Sequence, residues 1–160
     1  MNKKTTIKKR LNTRLQAEGA EFLVLGNLLV EGIDAYKSYR YMEGYDVVAV
    51  LPEKSRTARI QVKSRYATDA IGFLVKNYEC DFVVFAKLNR EFTFKKNWTP
   101  TQRKQGRRPP ECYVLPRDVV WRNRDKKSRL GRVVLERIPA YETYKDRWEL
   151  VRNFLRESES

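Results

Sequence analysis

Three polar residues stand on two neighbouring segments that the sequence predicts to be β-strands. Asp46 opens the run 46–51, whose other members are all apolar, and Gln61 and Lys63 alternate with apolar residues in the run 58–64. Side chains alternate between the faces of a strand, and adjacent antiparallel strands lie about 5 Å apart. We therefore expect Asp46 and Gln61 to bind one hard metal ion, with the Lys63 ammonium group beside it.

A purely structural interpretation exists for each of these residues. An alternating strand such as 58–64 is typical of a half-solvated sheet face. Asp46 follows Gly44 and Tyr45, where a turn is expected. Glu21 lies at the border of the apolar face of a predicted helix, where an acid either reaches water or points across the sheet edge toward Asp46. The pattern alone leaves both interpretations open.

The composition limits the chemistry that the chain can perform. Its 160 residues contain no histidine, which excludes histidine-based nucleases, Ser–His–Asp hydrolysis and histidine-ligated zinc. The two cysteines, Cys80 and Cys112, form no CxxC pair and are expected to be small buried groups in a reducing cytoplasm. An enzyme of this composition has to use carboxylates, amides, lysine and a hard metal ion.

The chain is strongly basic, with 34 Lys and Arg against 20 Asp and Glu, a net charge of +14 and a pI of about 9.9. Such a surface attracts polyanions, of which nucleic acid backbones are the most common. An anionic membrane is the rival partner, but the sequence contains no run of 18 apolar residues and does not open with a signal peptide. The charge therefore predicts a nucleic acid partner and no membrane.

The basic residues fall into three groups, which we name the N-terminal cluster, the loop cluster and the third basic cluster. The loop cluster lies in the polar segment 92–110, which contains no acid. The members of the three clusters, in that order, are Lys3, Lys4, Lys8, Lys9, Arg10 and Arg14; Lys95, Lys96, Arg103, Lys104, Arg107 and Arg108; and Arg122, Arg124, Lys126, Lys127, Arg129 and Arg132.

A long acid-free loop in a compact domain is often functional. We therefore predict that the loop cluster contacts the nucleic acid backbone, together with Arg65, which shares a strand face with Lys63. Trp98 lies within the loop segment and Trp121 next to the third basic cluster, where their rings could stack on nucleobases or on the protein itself.

The predicted elements follow the order helix, three strands, helix, strand, and then a less regular last third. Helices are predicted over 11–31, with the apolar face Leu11, Leu15, Phe22, Leu25 and Leu29, and, weakly, over 67–78. Strands are predicted over 33–40, 46–51, 58–64 and 81–88. The last third contains a predicted loop over 92–110, strands over 112–115 and 132–135, a helical turn over 116–120 and a helix over 142–156.

This order predicts a single α/β domain, with a mixed central β-sheet flanked by helices. The catalytic core would span residues 11–88, and the basic loop and the C-terminal helix would span 89–160.

These residues together resemble a known family. Gly44, Tyr45 and Asp46, a β-branched strand, a short turn and the residues 60–64 (Ile-Gln-Val-Lys-Ser) resemble the PD-(D/E)xK nuclease superfamily, which has the restriction-endonuclease-like fold with an αβββαβ core. Glu21, preceded by Gly19 and Ala20, is similar to the helix acid of many members. The pattern is most similar to group I intron-type homing endonucleases and also similar to Holliday junction resolvases, over roughly 11–88.

The resemblance implies an endonuclease that depends on Mg²⁺ or Mn²⁺ and hydrolyses DNA phosphodiester bonds. It implies metal ligands from Asp46, the Gln61 side-chain oxygen, the Val62 backbone carbonyl and Glu21, with Lys63 beside the attacking water and the phosphate. Cutting both strands takes two active sites, so a homodimer or homotetramer is expected.

Two positions depart from the family pattern. Tyr45 stands where the family has proline, and Gln61 stands where it has an acid. A glutamine oxygen can bind a hard cation but brings no charge. The neutral Gln61 therefore favours the alternative, a catalytically silent nucleic-acid-binding module with the same fold. A basic RNA-associated structural protein would explain the charge, but not the arrangement of Asp46, Gln61 and Lys63.

Overall fold

The centre of the protein is a five-stranded mixed sheet, seen in a computed structural model that describes residues 12–39 and 44–157. Its strands are β1 (Ala35–Lys37), β2 (Val47–Leu51), β3 (Arg56–Ala67), β5 (Phe82–Glu91) and β6 (Glu111–Pro116). They stand side by side in that order; β3 and β5 are parallel, and the other neighbours are antiparallel.

Both faces of the sheet are covered. Val84 of the buried strand β5 packs with α1 (Arg14–Val30) and α4 (Glu149–Arg156), while its neighbour Val83 packs in a second core. Successive side chains of a strand point to opposite faces, so the two cores lie on opposite sides of the sheet. The second core is covered by a two-stranded sheet and a short helix, which are β4 (Gly72–Leu74), β7 (Arg132–Val134) and α3 (Arg117–Arg122).

This architecture confirms the mixed α/β sheet flanked by helices that the sequence predicts. The predicted strands 46–51, 58–64 and 81–88 correspond to β2, β3 and β5. The predicted strand 33–40 is shorter than expected, since β1 ends at Lys37. No helix within the described ranges is long and apolar enough to cross a membrane.

The first helix forms as predicted, but its predicted apolar face is largely wrong, since of its described members only Leu25 packs, partly buried, against the core. Leu15, Phe22 and Leu29 are at least half exposed, and Leu11 lies outside the described residues. The buried face consists instead of Ala20, Val24 and Leu28. Apolar residues occur all around this helix, and the small Ala20 allows the close approach to the sheet that the larger side chains would prevent.

The predicted helix over 67–78 is also wrong. Ala67 is the last residue of β3, and the segment then forms β4, which pairs with β7 some sixty residues later. A Cβ atom on Gly72 would lie 2.1 Å from the backbone oxygen of Val133. This close approach of two backbones takes a glycine, and the pairing is non-local, so periodicity within the segment could not indicate it.

Two elements of the last third differ from expectation. The predicted loop 92–110 contains α2 (Pro100–Lys104), which begins with a capping box between Thr99 and Gln102. The final helix begins at Glu149 rather than at 142, because Tyr141–Tyr144 form a separate 3-10 turn.

Candidate active site

Asp46 lies immediately before β2 and is fixed against β3. Its backbone N–H donates to the Ile60 oxygen at 2.8 Å, and its Oδ2 atom accepts a hydrogen bond of 2.7 Å from the Val62 N–H. The register pairs Val47 with Ile60, so Asp46 lies beside Gln61 on the neighbouring strand. The Asp46 carboxylate, which the sequence predicts to be a metal ligand, thus satisfies a backbone donor of β3 and is held beside that strand.

Gln61 is buried, with 7% of its surface exposed. Its Nε2 group donates to the Gly44 carbonyl at 3.1 Å, whereas its Oε1 atom is buried and has no hydrogen-bond partner among the described residues. A buried acceptor left unsatisfied costs about 1–3 kcal/mol. Gln61 is therefore not part of a solvated sheet face, and its oxygen can accept a hydrogen bond or bind a cation.

Gly44 positions the amide of Gln61. Its φ angle is +97°, which favours glycine, and a Cβ atom there would lie 2.9 Å from the Cβ of Glu79. The close packing of Gly44 against Glu79 brings the Gly44 carbonyl within reach of Gln61.

Glu21 projects from α1 into a buried ion-pair cluster. Its Oε2 atom lies 3.1 Å from the Nζ of Lys37, which also pairs with Glu18. Burial, together with the negative charge of Asp46, raises the pKa of Glu21 to about 7. The Glu21 side chain is therefore largely buried and paired with Lys37, and it lies close enough to Asp46 for the two negative charges to repel each other.

Lys37 is a residue of this site that sequence analysis missed. Its side chain is only 5% exposed, and its ammonium group lies 4.5 Å from the centre of the Phe22 ring. This single ammonium group pairs with Glu18 and Glu21 and also acts on Asp46 through its charge, so it compensates the negative charge of each acid only in part. A single lysine in a short strand gives no sequence signal, because its importance comes from the helix packed over it.

The electrostatics around Asp46 combine opposing effects. Burial raises the pKa of its carboxyl group, while the Val62 N–H and the positive charges of Lys63 and Lys37 lower it. Two acids and two lysines therefore share a partly dehydrated site, where charges interact more strongly than in water.

The side chains present fit a hard divalent cation by their chemistry. Carboxylates alone do not complete a site, because in the described ranges no three His, Cys, Asp or Glu side chains are grouped so that they could hold a metal ion. Asp46 and Glu21 supply two carboxylates, and the unpartnered Oε1 of Gln61 supplies a third oxygen. Mg²⁺ and Mn²⁺ prefer such oxygen donors and keep water in their remaining positions.

The loop cluster lies at the far end of the same strands. Ala67 at the end of β3 pairs with Glu91, and Asp69 holds the loop by accepting from the backbone N–H groups of Thr93 and Phe94. The four residue steps from Lys63 to Ala67 span about 13 Å of strand. The loop is thus fixed at the end of β3, about that distance from Lys63.

Members of the loop cluster differ in their freedom to bind a partner. Arg103 is engaged, because its Nη1 donates to the backbone oxygens of Phe92 and Thr93. Arg65, which lies on β3 outside the cluster, is exposed and donates from Nε to the Gly72 oxygen. The remaining cations of the cluster are exposed: Lys95, Lys96, Lys104, Arg107 and Arg108.

Comparison with known proteins addresses the fold. No family model and no curated protein matches the sequence. Among solved structures, the chain is similar to the bacterial homing endonuclease I-Ssp6803I, with a TM-score of 0.51 and 20% sequence identity, over 90% of this chain and 91% of that one. At this identity the likeness concerns the fold, which is a mixed α/β sheet similar to that of a homing endonuclease.

Proposed function

We propose that the chain is a metal-dependent endonuclease of the PD-(D/E)xK type that hydrolyses DNA phosphodiester bonds. The observation that carries this proposal is the unpartnered, buried Oε1 of Gln61, at the strand position opposite Asp46, whose carboxylate is fixed by the Val62 N–H. The likeness of the fold to a homing endonuclease supports it, as does the net charge of +14.

Asp46, Gln61 and Glu21 would hold Mg²⁺ or Mn²⁺, and the Val62 carbonyl is proposed as a further ligand. When bound, such an ion supplies Lewis acidity and positive charge at the phosphate that is attacked. The ionised form of Glu21 is disfavoured by burial and by Asp46, so a cation between the two acids would favour that form.

Lys63 would act on the phosphate and on the attacking water. Its ammonium group can donate to a non-bridging phosphate oxygen and to the water, which orients the water for attack on phosphorus. The attacking water gives up a proton to solvent as its oxygen bonds to phosphorus, and the bond to the leaving oxygen breaks as that oxygen takes up a proton from solvent. Preorganised positive charge stabilises the charge that builds on the phosphate.

A second candidate function is a nucleic-acid-binding module without catalysis. The ion pair between Lys37 and Glu21 favours it, because an ammonium group already neutralises one of the two acids. The neutral Gln61 favours it as well. Either function has DNA as its partner, and a homodimer or homotetramer would supply the paired sites needed to cut both strands.

The deciding experiment incubates plasmid and branched DNA with the protein in Mg²⁺, Mn²⁺ or EDTA. We expect cleavage with either metal and none in EDTA. Lys63→Ala should abolish cleavage with little change in DNA affinity, because it removes an interaction made in the transition state. Asp46→Asn should also abolish cleavage, while its amide oxygen can still accept from the Val62 N–H and so preserve the strand pair.

Lys54→Ala is the matched control for loss of one lysine charge. Lys54 lies in the exposed turn between β2 and β3, away from Asp46. The Lys54→Ala variant should cut DNA as the wild type does. Undiminished cutting in EDTA would disprove the metal mechanism. A wild type that cuts neither DNA, yet binds it as tightly as both site variants do, would instead support the silent module.

A further inference from the structure

A basic cavity of about 560 Å³ lies between the segment around Tyr78 and the turn that follows α3. Among the described residues that line it, the only acid is Asp125, whose Oδ1 is engaged by the backbone N–H of Lys127. The cationic residues that line it are Lys76, Arg124, Lys126 and Arg129. A concave site of this volume and charge suits an anion of nucleotide size.

The cavity contains a cluster of two aromatic rings and a guanidinium group. The Tyr78 ring meets Trp121 edge to face, with centroids 4.9 Å apart, and the guanidinium carbon of Arg124 lies 3.3 Å from the Trp121 ring centre. Arg124 also donates to the Trp121 backbone oxygen, which fixes its plane. Trp121 stays 48% exposed, and the Tyr78 hydroxyl is buried without a hydrogen-bond partner among the described residues.

The cavity and the candidate active site share one segment of chain. Gly44, whose carbonyl binds Gln61, packs against Asn77 and Glu79 on either side of Tyr78. The segment 77–79 therefore contacts both the candidate active site and, through Tyr78, the cavity.

We propose that this cavity binds an unpaired nucleotide of the DNA, with its base stacked on the Trp121–Arg124 pair and its phosphate among the surrounding cations. The inference rests on the proposed function and adds a subsite to it. Aromatic rings and guanidinium planes bind unstacked bases, whereas a paired base has both faces covered by its neighbours. A duplex backbone would need only surface cations and no aromatic stack.

The test measures tryptophan fluorescence during titration with a short oligothymidylate, in EDTA so that cleavage plays no part. We expect quenching in the wild type. In Trp121→Leu we expect loss of that quenching and binding weaker by at least about five-fold, which is the value of one base stacked on an aromatic ring. Trp121→Phe is the matched variant, because it keeps an aromatic ring at the same position: it should bind the oligonucleotide nearly as tightly as the wild type, which separates loss of the stacking ring from loss of the fluorophore.

Arg124→Ala is a second variant that keeps Trp121 as reporter, should the tryptophan substitution impair folding. It should bind the oligonucleotide more weakly while melting close to the wild-type temperature. Unchanged affinity in both variants, or equal quenching by a blunt duplex of the same length, would overturn the inference. Because no metal is present, these outcomes do not depend on whether the protein cuts DNA.

Discussion

The Oδ2 atom of Asp46 lies 2.7 Å from the backbone nitrogen of Val62 and accepts its hydrogen bond across the β2–β3 pair. The residues on either side of Val62 are Gln61 and Lys63, so this bond holds the carboxylate in a fixed relation to both. It also stabilises the ionised form of Asp46 against the cost of burial. The same contact thus gives Asp46 a structural role and opposes, in part, the rise in its pKa that burial causes.

Glu21 should make the protein less stable as the pH rises from about 4.5 to about 7. Its pKa is raised from 4.5 to about 7 in the folded chain, so the folded state binds more protons than the unfolded state in this interval. The free energy of unfolding then falls with pH, by up to about 3 kcal/mol at 1.4 kcal/mol per unit of pKa. Glu21→Gln should remove this fall, and chemical denaturation at a series of pH values measures it.

Glu18→Gln is the control for the loss of one Lys37 partner. Glu18 lies on the same helix and pairs with the same ammonium group, but its side chain is 53% exposed. Its removal should change stability by no more than a surface ion pair does, about 1 kcal/mol or less. Equal pH profiles for the two variants would show that the burial of Glu21 is not the cause.

A methyl group on Gly44 should disturb the site, whereas one on Gly19 should not. Gly44→Ala places a Cβ atom 2.9 Å from that of Glu79 at a φ angle of +97°, so the Gly44 carbonyl must shift away from Gln61. We expect a lower melting temperature and reduced cleavage. Gly19 lies within α1 with no described atom within 4 Å of a built Cβ. Gly19→Ala should stabilise the helix by about 0.5–1 kcal/mol and leave cleavage unchanged.

The β-strands around the site could be predicted because their signals are local. The β-branched run after Asp46 and the alternating run around Gln61 are joined by a short turn, which makes antiparallel pairing the simplest arrangement. The site's dependence on Lys37 could not be predicted in this way. It depends on which face of α1 meets the sheet, and apolar residues all around that helix leave the choice to tertiary packing.

Substitutions at neighbouring residues of the loop cluster should change different properties, which are DNA binding in one case and thermal stability in the other. Lys104 and Arg107 are exposed, so replacing both with alanine should flatten the salt dependence of DNA binding, by about 0.9 in the log–log slope for each phosphate that the variant no longer neutralises. Arg103→Ala should instead lower the melting temperature, because its guanidinium group holds the backbone oxygens of Phe92 and Thr93. An unchanged slope in the double variant would place the DNA away from this loop.

Gln61→Glu should make the stability of the protein depend on divalent metal. The new carboxylate would be buried beside Asp46 and would lose the donor that binds the Gly44 carbonyl, so we expect a less stable protein in EDTA, by about 1–3 kcal/mol. A ligand that binds only the folded state stabilises it in proportion to the logarithm of its concentration over Kd. Mg²⁺ should therefore raise the melting temperature of this variant more than that of the wild type. Gln105→Glu, exposed at the end of α2, adds the same charge away from the site and should show no such difference. A melting temperature that does not respond to Mg²⁺ in any of the three proteins would mean that Gln61 and Asp46 do not hold a metal ion.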